Sequence, residues 1–179
     1  GPGYQFDLFK STKNWELAKA VEKENALQIE RIIKEDNSVN VNLQEPLYGN
    51  TLLHLTIGND KLLSTKMLLQ NGADLNTADS FGLYPLHEAA SLIGSRKNSV
   101  EIIKLLLDHG ANPNKIAFVN KPNSGEYLPL MTAVQNLECT KLLLEHGADL
   151  YYKDSSGYPL WSSIFLLDGN NSESIYVAK

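Results

Sequence analysis

The sequence repeats itself with a period of about 33 residues, and this period constrains the fold more than any other feature. His54 and His87 are one such period apart, and so are Gly49 and Gly82. Three apolar residues, two further residues and then Gly-Ala occur three times, at residues 67–73, 105–111 and 142–148. A repeat of this length predicts a row of similar supersecondary units, each of which buries its apolar face against its neighbours.

One stretch carries the motif of a known family. Residues 79–90 read DSFGLYPLHEAA, and Gly82, Pro85 and His87 stand at the spacing of the G-x-T-P-L-H-x-A-A signature of ankyrin repeats. Tyr84 replaces the usual threonine. Related openings begin at Gly49, Leu128 and Asp154. The chain therefore resembles an ankyrin-repeat protein, which implies an all-α repeat solenoid of helix-turn-helix units with β-turn fingers, about five repeats including degenerate caps.

The repeats set the expected domain organisation. Residues 1–3, Gly-Pro-Gly, resemble the remnant of a removed affinity tag. The native N-terminus is then not in the sequence, so the presence of a signal peptide stays an open question. Residues 4–13 are interpreted as an N-terminal extension, and residues 14–179 as a single domain. Asn14 is expected to cap the first helix, whose charged side chains suit the end of a stack. Repeats are expected at residues 14–43, 44–76, 77–114, 115–151 and 152–179.

The resemblance assigns structural roles to a set of glycines, prolines and histidines. The glycines belong to turns and helix ends that need a left-handed backbone, and the prolines to the first turn of a helix. In the family, the histidine of the motif ties neighbouring turns together by hydrogen bonds. The lone Cys139 is interpreted as a small buried hydrophobe rather than a reactive thiol. The structural set is Gly49, His54, Gly72, Gly82, Pro85, His87, Gly110, Pro129 and Gly147.

No pattern that carries chemistry accompanies the repeats. Phosphate-binding glycine loops, a nucleophile elbow and metal-ligand spacings such as HExxH are all missing from the sequence. We therefore expect no enzymatic activity, no cofactor and no metal. The net charge of −5 argues against a nucleic-acid partner, and no apolar run reaches the length of a membrane-spanning helix. A cytoplasmic protein, monomeric on its own, is the expectation.

The surface is then where function is expected. Resemblance to ankyrin stacks implies a concave surface of finger tips and first-helix faces that binds proteins. Tyr48 and Phe81 are one repeat period apart and predict an exposed aromatic row, although the same rings could instead pack between fingers and stabilise the stack. The long finger at residues 115–127 either reaches into a partner or is a tolerated insertion. The predicted binding set is Tyr48, Asn50, Phe81, Leu83, Ser91, Leu92, Asn123, Glu126, Tyr127, Gln135, Tyr151, Tyr152 and Asp154, with Asn59 also on a helix face.

These expectations lead to one function and one alternative. The preferred hypothesis is a protein-binding module that acts as a stoichiometric inhibitor or immunity protein of a toxin. Its acidic charge would suit an enzyme with a basic cleft. The alternative is the ankyrin domain of a larger scaffold or regulatory protein.

Overall fold

Helix pairs stacked in two rows make up the computed structural model, which describes residues 4–118, 125–134, 136–157 and 159–160. The first helix of each pair lies in one row: α1 (Trp15–Glu22), α3 (Leu52–Gly58), α5 (Pro85–Ser91) and α7 (Pro129–Ala133). The second helix lies in the other row: α2 (Ala26–Glu35), α4 (Leu62–Gln70), α6 (Ser99–Asp108) and α8 (Leu137–Glu145). Each helix contacts its pair mate and the neighbouring helices of its own row. This arrangement confirms the predicted all-α repeat solenoid.

The fingers connect each second-row helix to the next first-row helix. The first finger comprises residues 36–51, the second residues 71–84, and the third residues 109–128; the fourth follows α8 from residue 146. In the third finger, β1 (Ala117–Phe118) pairs antiparallel with β2 (Glu126–Tyr127). Residues 119–124, which connect these strands, lie outside the described residues.

The apolar core runs the length of the stack because the first-row helices are short and buried on several sides. All seven residues of α3 are buried. Its Leu52 and Leu55 belong to the same buried cluster as residues of α1, whereas Leu53 and Ile57 belong to the cluster that includes residues of α5 and α6. A stack of this kind gains its stability from contacts between neighbouring repeats.

The N-terminal end of the stack is closed differently from the expectation. Asn14 stands at the N-cap position of α1, as predicted, but its side chain makes no capping hydrogen bond. Its side chain is fully buried and instead donates to the carbonyl of Asn40 at 2.7 Å and accepts from the Asn40 amide at 3.1 Å. Phe6 and Phe9, from the segment predicted as an extension, are buried in the core beside α1. Residues 4–13 therefore cover the apolar end of the first repeat.

Asparagine side chains join the end of one repeat to the next. Asn42 donates to the carbonyl of Gly72, just beyond α4, and accepts from the amide of Asp74. Asn114 makes the same pair of bonds to Gly147 and Asp149, just beyond α8. We call each of these pairs of bonds an asparagine bracket. Each bracket supplies a hydrogen-bond partner for backbone groups just beyond a helix end, where the helix itself leaves such groups unsatisfied.

Gly49 is required by both its backbone angle and its surroundings. Its φ of +68° is left-handed, and a Cβ at this position would lie 2.8 Å from Ser80 Oγ and 3.1 Å from Ser80 N. Gly72 has a similar φ of +82°, but its Cβ would meet nothing within 4 Å. Substitution of Gly72 would therefore cause backbone strain alone, whereas substitution of Gly49 would cause both strain and a steric clash.

Gly49→Ala is expected to lower the free energy of unfolding by about 2 kcal/mol, whereas Gly72→Ala costs about 1 kcal/mol. The difference reflects the displaced contact between the first two fingers. Urea denaturation of the two variants at neutral pH measures it. Equal losses would show that the approach of Ser80 to Gly49 contributes nothing.

Candidate functional site

The tip of the first finger is folded around a buried carboxylate. Glu45 is 1% exposed, and its oxygens accept from the backbone amides of Leu47 at 2.7 Å and of Tyr48 and Asn50 at 2.9 Å. Backbone N–H groups that converge on one carboxylate fix a turn firmly, because bonds to a charged acceptor are the stronger ones. Within this turn the side chain of Leu47 points outward and is 63% exposed.

Asn50 belongs to this turn rather than to the binding surface predicted from the sequence. It is buried, and its side-chain amide also donates to Glu45 at 3.3 Å. Its place shortly before the motif histidine gave no indication of this burial, because the bonds depend on the backbone path of the turn.

The second finger repeats the device with an aspartate. Asp79 accepts from the amides of Phe81 and Leu83, each at 2.9 Å. The amide of Ser80 donates to the carbonyl of Tyr48 at 2.8 Å and so joins the two finger tips. The rings of Tyr48 and Phe81 stack with centroids 6.4 Å apart and planes inclined by 19°. Phe81 is still 48% exposed.

The sequence left two interpretations of Tyr48 and Phe81 open, an exposed aromatic row or rings packed between fingers, and the structure has features of both. The rings stack between fingers, and Phe81 with Leu47 also presents apolar surface to solvent. Leu83, which the sequence placed beside them, is half-buried, and its carbonyl lies 3.3 Å from the ring of His54.

The motif histidines link consecutive fingers. His54 Nε2 lies 3.3 Å from the carbonyl of Leu83, and His54 Nδ1 lies 2.9 Å from Thr51 Oγ. The Thr51 amide also donates to Nδ1, so this nitrogen is an acceptor and Nε2 carries the proton. Burial is the main cause that lowers the pKa of His54.

His87 makes the bond to the next finger but lacks the bonds that His54 makes through Nδ1. Its Nε2 lies 3.0 Å from the carbonyl of Tyr127, whereas its Nδ1 has no hydrogen-bond partner among the described residues. Tyr84 stands where Thr51 stands one repeat earlier, so the hydroxyl that serves His54 is missing here. Burial disfavours the charged ring and lowers the pKa of His87 to about 4, so the ring is neutral at pH 7.

Aromatic rings surround His87 at the root of the third finger. The ring centroids of Tyr84 and Tyr127 lie 5.6 Å and 5.7 Å from that of His87. Lys115 Nζ lies 4.8 Å from the Tyr84 ring centroid, within cation–π distance. Tyr127, predicted as a binding residue, is half-buried in this cluster, which favours a structural contribution from its ring.

The remaining predicted binding residues are spread along the third and fourth fingers and the end of α5. The Tyr152 hydroxyl donates to the carboxylate of Glu126, which raises the pKa of Tyr152 to about 12. Tyr151 is 73% exposed, and Asp154 accepts from the Ser156 amide at 2.9 Å. Ser91 is exposed at the end of α5, and Leu92 is partly buried against the core. Asn123 and Gln135 lie outside the described residues.

Sequence reasoning missed several exposed apolar residues. Phe118, on β1 of the long finger, is 64% exposed. It lies in the apolar run at residues 116–119 of the long finger, which does not indicate which of these side chains faces solvent. Leu27, Leu63 and Leu137 are also exposed, and all three lie in the first turn of second-row helices, at the ends away from the fingers.

Among the described residues, no catalytic arrangement accompanies this surface. Cys139 is buried, and burial raises its pKa to about 11, so the thiol is neutral. Across the part of the chain that the structure describes, no three His, Cys, Asp or Glu residues are grouped to hold a metal ion. Within the same residues, no helix has the length and apolar character needed to span a membrane.

Stacked helix pairs with a row of turn fingers define the class of this molecule as a repeat domain whose fingers form one edge of the stack. The sequence comparison identifies the class more closely. Ankyrin repeats match in three copies, over residues 17–117 and 66–154. The chain belongs to the ankyrin repeat family, which is a family of protein-interaction modules without catalysis of their own.

The relatives include viral and animal proteins. An ankyrin repeat protein of fowlpox virus is 31% identical over 129 residues, which cover 72% of this chain and 36% of that protein. The human transient receptor potential cation channel subfamily A member 1 is 30% identical over 125 residues, covering 69% of this chain and 11% of the channel. Ankyrin repeat and SOCS box protein 6 of Pongo abelii is 28% identical over 74% of this chain and 31% of its own length. The chain thus spans between about a tenth and about a third of these relatives.

Proposed function

We propose that this domain binds a partner protein through its first two finger tips, with Leu47, Tyr48 and Phe81 at the centre of the contact. The stack of Tyr48 on Phe81 carries the proposal, because it places two aromatic rings and the exposed Leu47 on adjacent fingers that a backbone hydrogen bond holds together. Phe118 and Tyr151 extend exposed apolar surface to the third and fourth fingers.

The physical argument rests on rigidity as well as exposure. Aromatic side chains dominate binding energies, and their effect is greatest where little conformational entropy is lost on binding. Here Glu45 and Asp79 hold the backbone of both tips, and the two rings already restrict each other. The surface is therefore preorganised for a rigid contact.

Tyr48→Ala combined with Phe81→Ala is expected to weaken partner binding at least tenfold. The partner is first captured from the native source with the immobilised chain, and its affinity for purified variants is then measured by calorimetry. Because both rings are partly solvated, the melting temperature should change little. Circular dichroism monitors unfolding, so a variant that has lost its fold is distinguished from one that has lost only the contact with the partner.

Leu27→Ala combined with Leu63→Ala is the matched control. These leucines are exposed apolar residues of the second-row helices, at the ends away from the fingers. The control should bind with unchanged affinity. Equal weakening by both double variants, or none by the aromatic pair, would contradict a finger-centred contact.

Inhibition of the partner is the finer proposal. An acidic chain that covers the basic cleft of a toxin or another enzyme would act as a stoichiometric inhibitor. The net charge of −5 supports this proposal through charge complementarity with such a cleft. Inhibition at a one-to-one ratio by the captured complex tests it. The alternative, an ankyrin region of a larger scaffold or regulatory protein, is favoured by the small share of each relative that the chain spans. The flanking coding sequence distinguishes the two.

A further inference from the structure

The N-terminal segment holds a tyrosine over the first-row helices. Phe6 and Phe9 anchor this segment, since both are buried within the core beside α1. Tyr4 precedes the anchors and extends to α3 and α5. Tyr4 thus joins the N-terminal segment to two helices that lie beyond α1 in the stack.

Three contacts define the slot that Tyr4 fills. The ring lies so close to Gly58 that an added Cβ there would overlap it. The Asn59 side-chain amide donates to the Tyr4 carbonyl at 2.6 Å. The Tyr4 hydroxyl donates to a carboxylate oxygen of Glu88 in α5. The slot thus recognises a backbone carbonyl, a flat ring and a hydroxyl donor.

Glu88 is the residue that the repeat architecture does not require. The equivalent position one repeat earlier is the fully buried Leu55. Glu88 is nevertheless buried as well, and burial raises the pKa of its carboxyl. Asp79 and Arg96 are the charged groups that act on it, with opposite effects. A carboxyl buried in this way needs a hydrogen-bond donor, and Tyr4 provides it.

We propose that the Gly58–Asn59–Glu88 slot is a tyrosine-binding subsite of the first-row surface, filled in this chain by Tyr4 and used by a partner that presents a tyrosine on an extended segment. This inference rests on the proposed function, because it assigns the chemistry of one partner side chain. A cavity of about 410 Å³ between Tyr4, Glu22 and Lys61 adjoins the slot and provides room for the incoming segment.

A partner tyrosine must displace the resident one. Only Tyr4 and Gln5 need to move, because the anchor begins at Phe6. The resident ring therefore lowers the apparent affinity for a partner by the fraction of time that it fills the slot.

The test vacates the slot in the full chain and refills it with a fragment. In Tyr4→Gly, p-cresol should bind saturably with a dissociation constant on the order of 1 mM, and it should shift the NMR resonance of the Asn59 side-chain amide. Toluene, which lacks the hydroxyl, should bind at least fivefold more weakly. The wild-type chain, whose slot is full, should show no saturable shift.

Two further variants keep the result interpretable. Tyr4→Gly combined with Glu88→Leu removes the acceptor and should abolish the preference for p-cresol over toluene. Tyr4→Gly combined with Gly58→Ala fills the slot and should abolish binding of both. No p-cresol binding to folded Tyr4→Gly, or equal binding of toluene, would overturn the proposal, since the slot would then be an empty surface or a merely apolar cavity.

A double-mutant cycle covers the case in which Tyr4→Gly does not fold. Tyr4→Phe should lower the melting temperature in the wild-type background and leave it unchanged in Glu88→Leu. Equal losses in both backgrounds would show that the hydroxyl and the carboxyl are not coupled, and would overturn the proposal. Neither readout involves the finger tips, so fragment binding that persists in Tyr48→Ala with Phe81→Ala separates failure of the slot from failure of the finger contact.

Discussion

Glu45→Ala is expected to lower the free energy of unfolding by about 3 kcal/mol, the combined loss of a charged acceptor for three backbone amides of the first finger. The carboxylate is buried, so its removal leaves those amides without a substitute in the protein. Urea denaturation of the full chain measures the change. Glu45→Gln, which keeps one oxygen acceptor, should fall between wild type and the alanine variant.

Asp79→Ala is the control for this prediction. Asp79 accepts from two amides in the equivalent turn, but it is only half-buried, so water can replace it and the cost should be about 1 kcal/mol. A loss as large as that of Glu45→Ala would contradict burial as the reason for the difference. Weaker partner binding by Glu45→Ala at temperatures where the stack stays folded would further link the turn to the proposed contact.

Acidification from pH 7 to pH 4 is expected to remove about 3 kcal/mol of stability through His87 alone. The pKa of His87 in the folded chain is about 4, below the ordinary value of 6.5. Between these values the unfolded chain binds the proton and the folded chain does not, so stability falls as the pH falls. His54, whose pKa is also lowered by burial, adds to the effect in the same direction.

His87→Gln isolates this contribution, because a glutamine amide can still donate to the Tyr127 carbonyl but does not titrate. The variant should lose stability less steeply between pH 6.5 and pH 4 in denaturation series at several pH values. Glu88 acts in the opposite direction, since burial raises its pKa and its protonation favours the folded chain, and it acts equally in both proteins. Parallel slopes for wild type and variant would contradict the assignment to His87.

The sequence was informative about everything that the repeat period controls. The helix pairs, the left-handed glycines and the positions of the fingers follow from residues that recur once in each repeat, because each unit must present the same face to its neighbour. The same logic placed Tyr48 and Phe81 on adjacent fingers, where the structure stacks them. Their contribution to binding remains a prediction for the affinity measurements.

What the period does not control could not be predicted. The role of Glu45 depends on three amides that converge only once the turn is folded. Asn14 does occupy the N-cap position of α1, but its side chain bonds to Asn40, 26 residues away, instead of capping the helix. The contact of Tyr4 with Glu88 spans 84 residues and involves a segment outside any repeat. Side-chain pairs that occur once leave no pattern in a single sequence.

The asparagine brackets give the array a polarity. Asn42 supports the end of α4 in the repeat that follows it, and Asn114 does the same for α8, so both act from the N-terminal repeat on its C-terminal neighbour. His54 and His87 reach in the same direction. Removing whole repeats from the C-terminal side therefore leaves the bracket of α4 in place, whereas removing the first repeat takes that bracket away. Unravelling of the chain should accordingly differ in cost between its two ends.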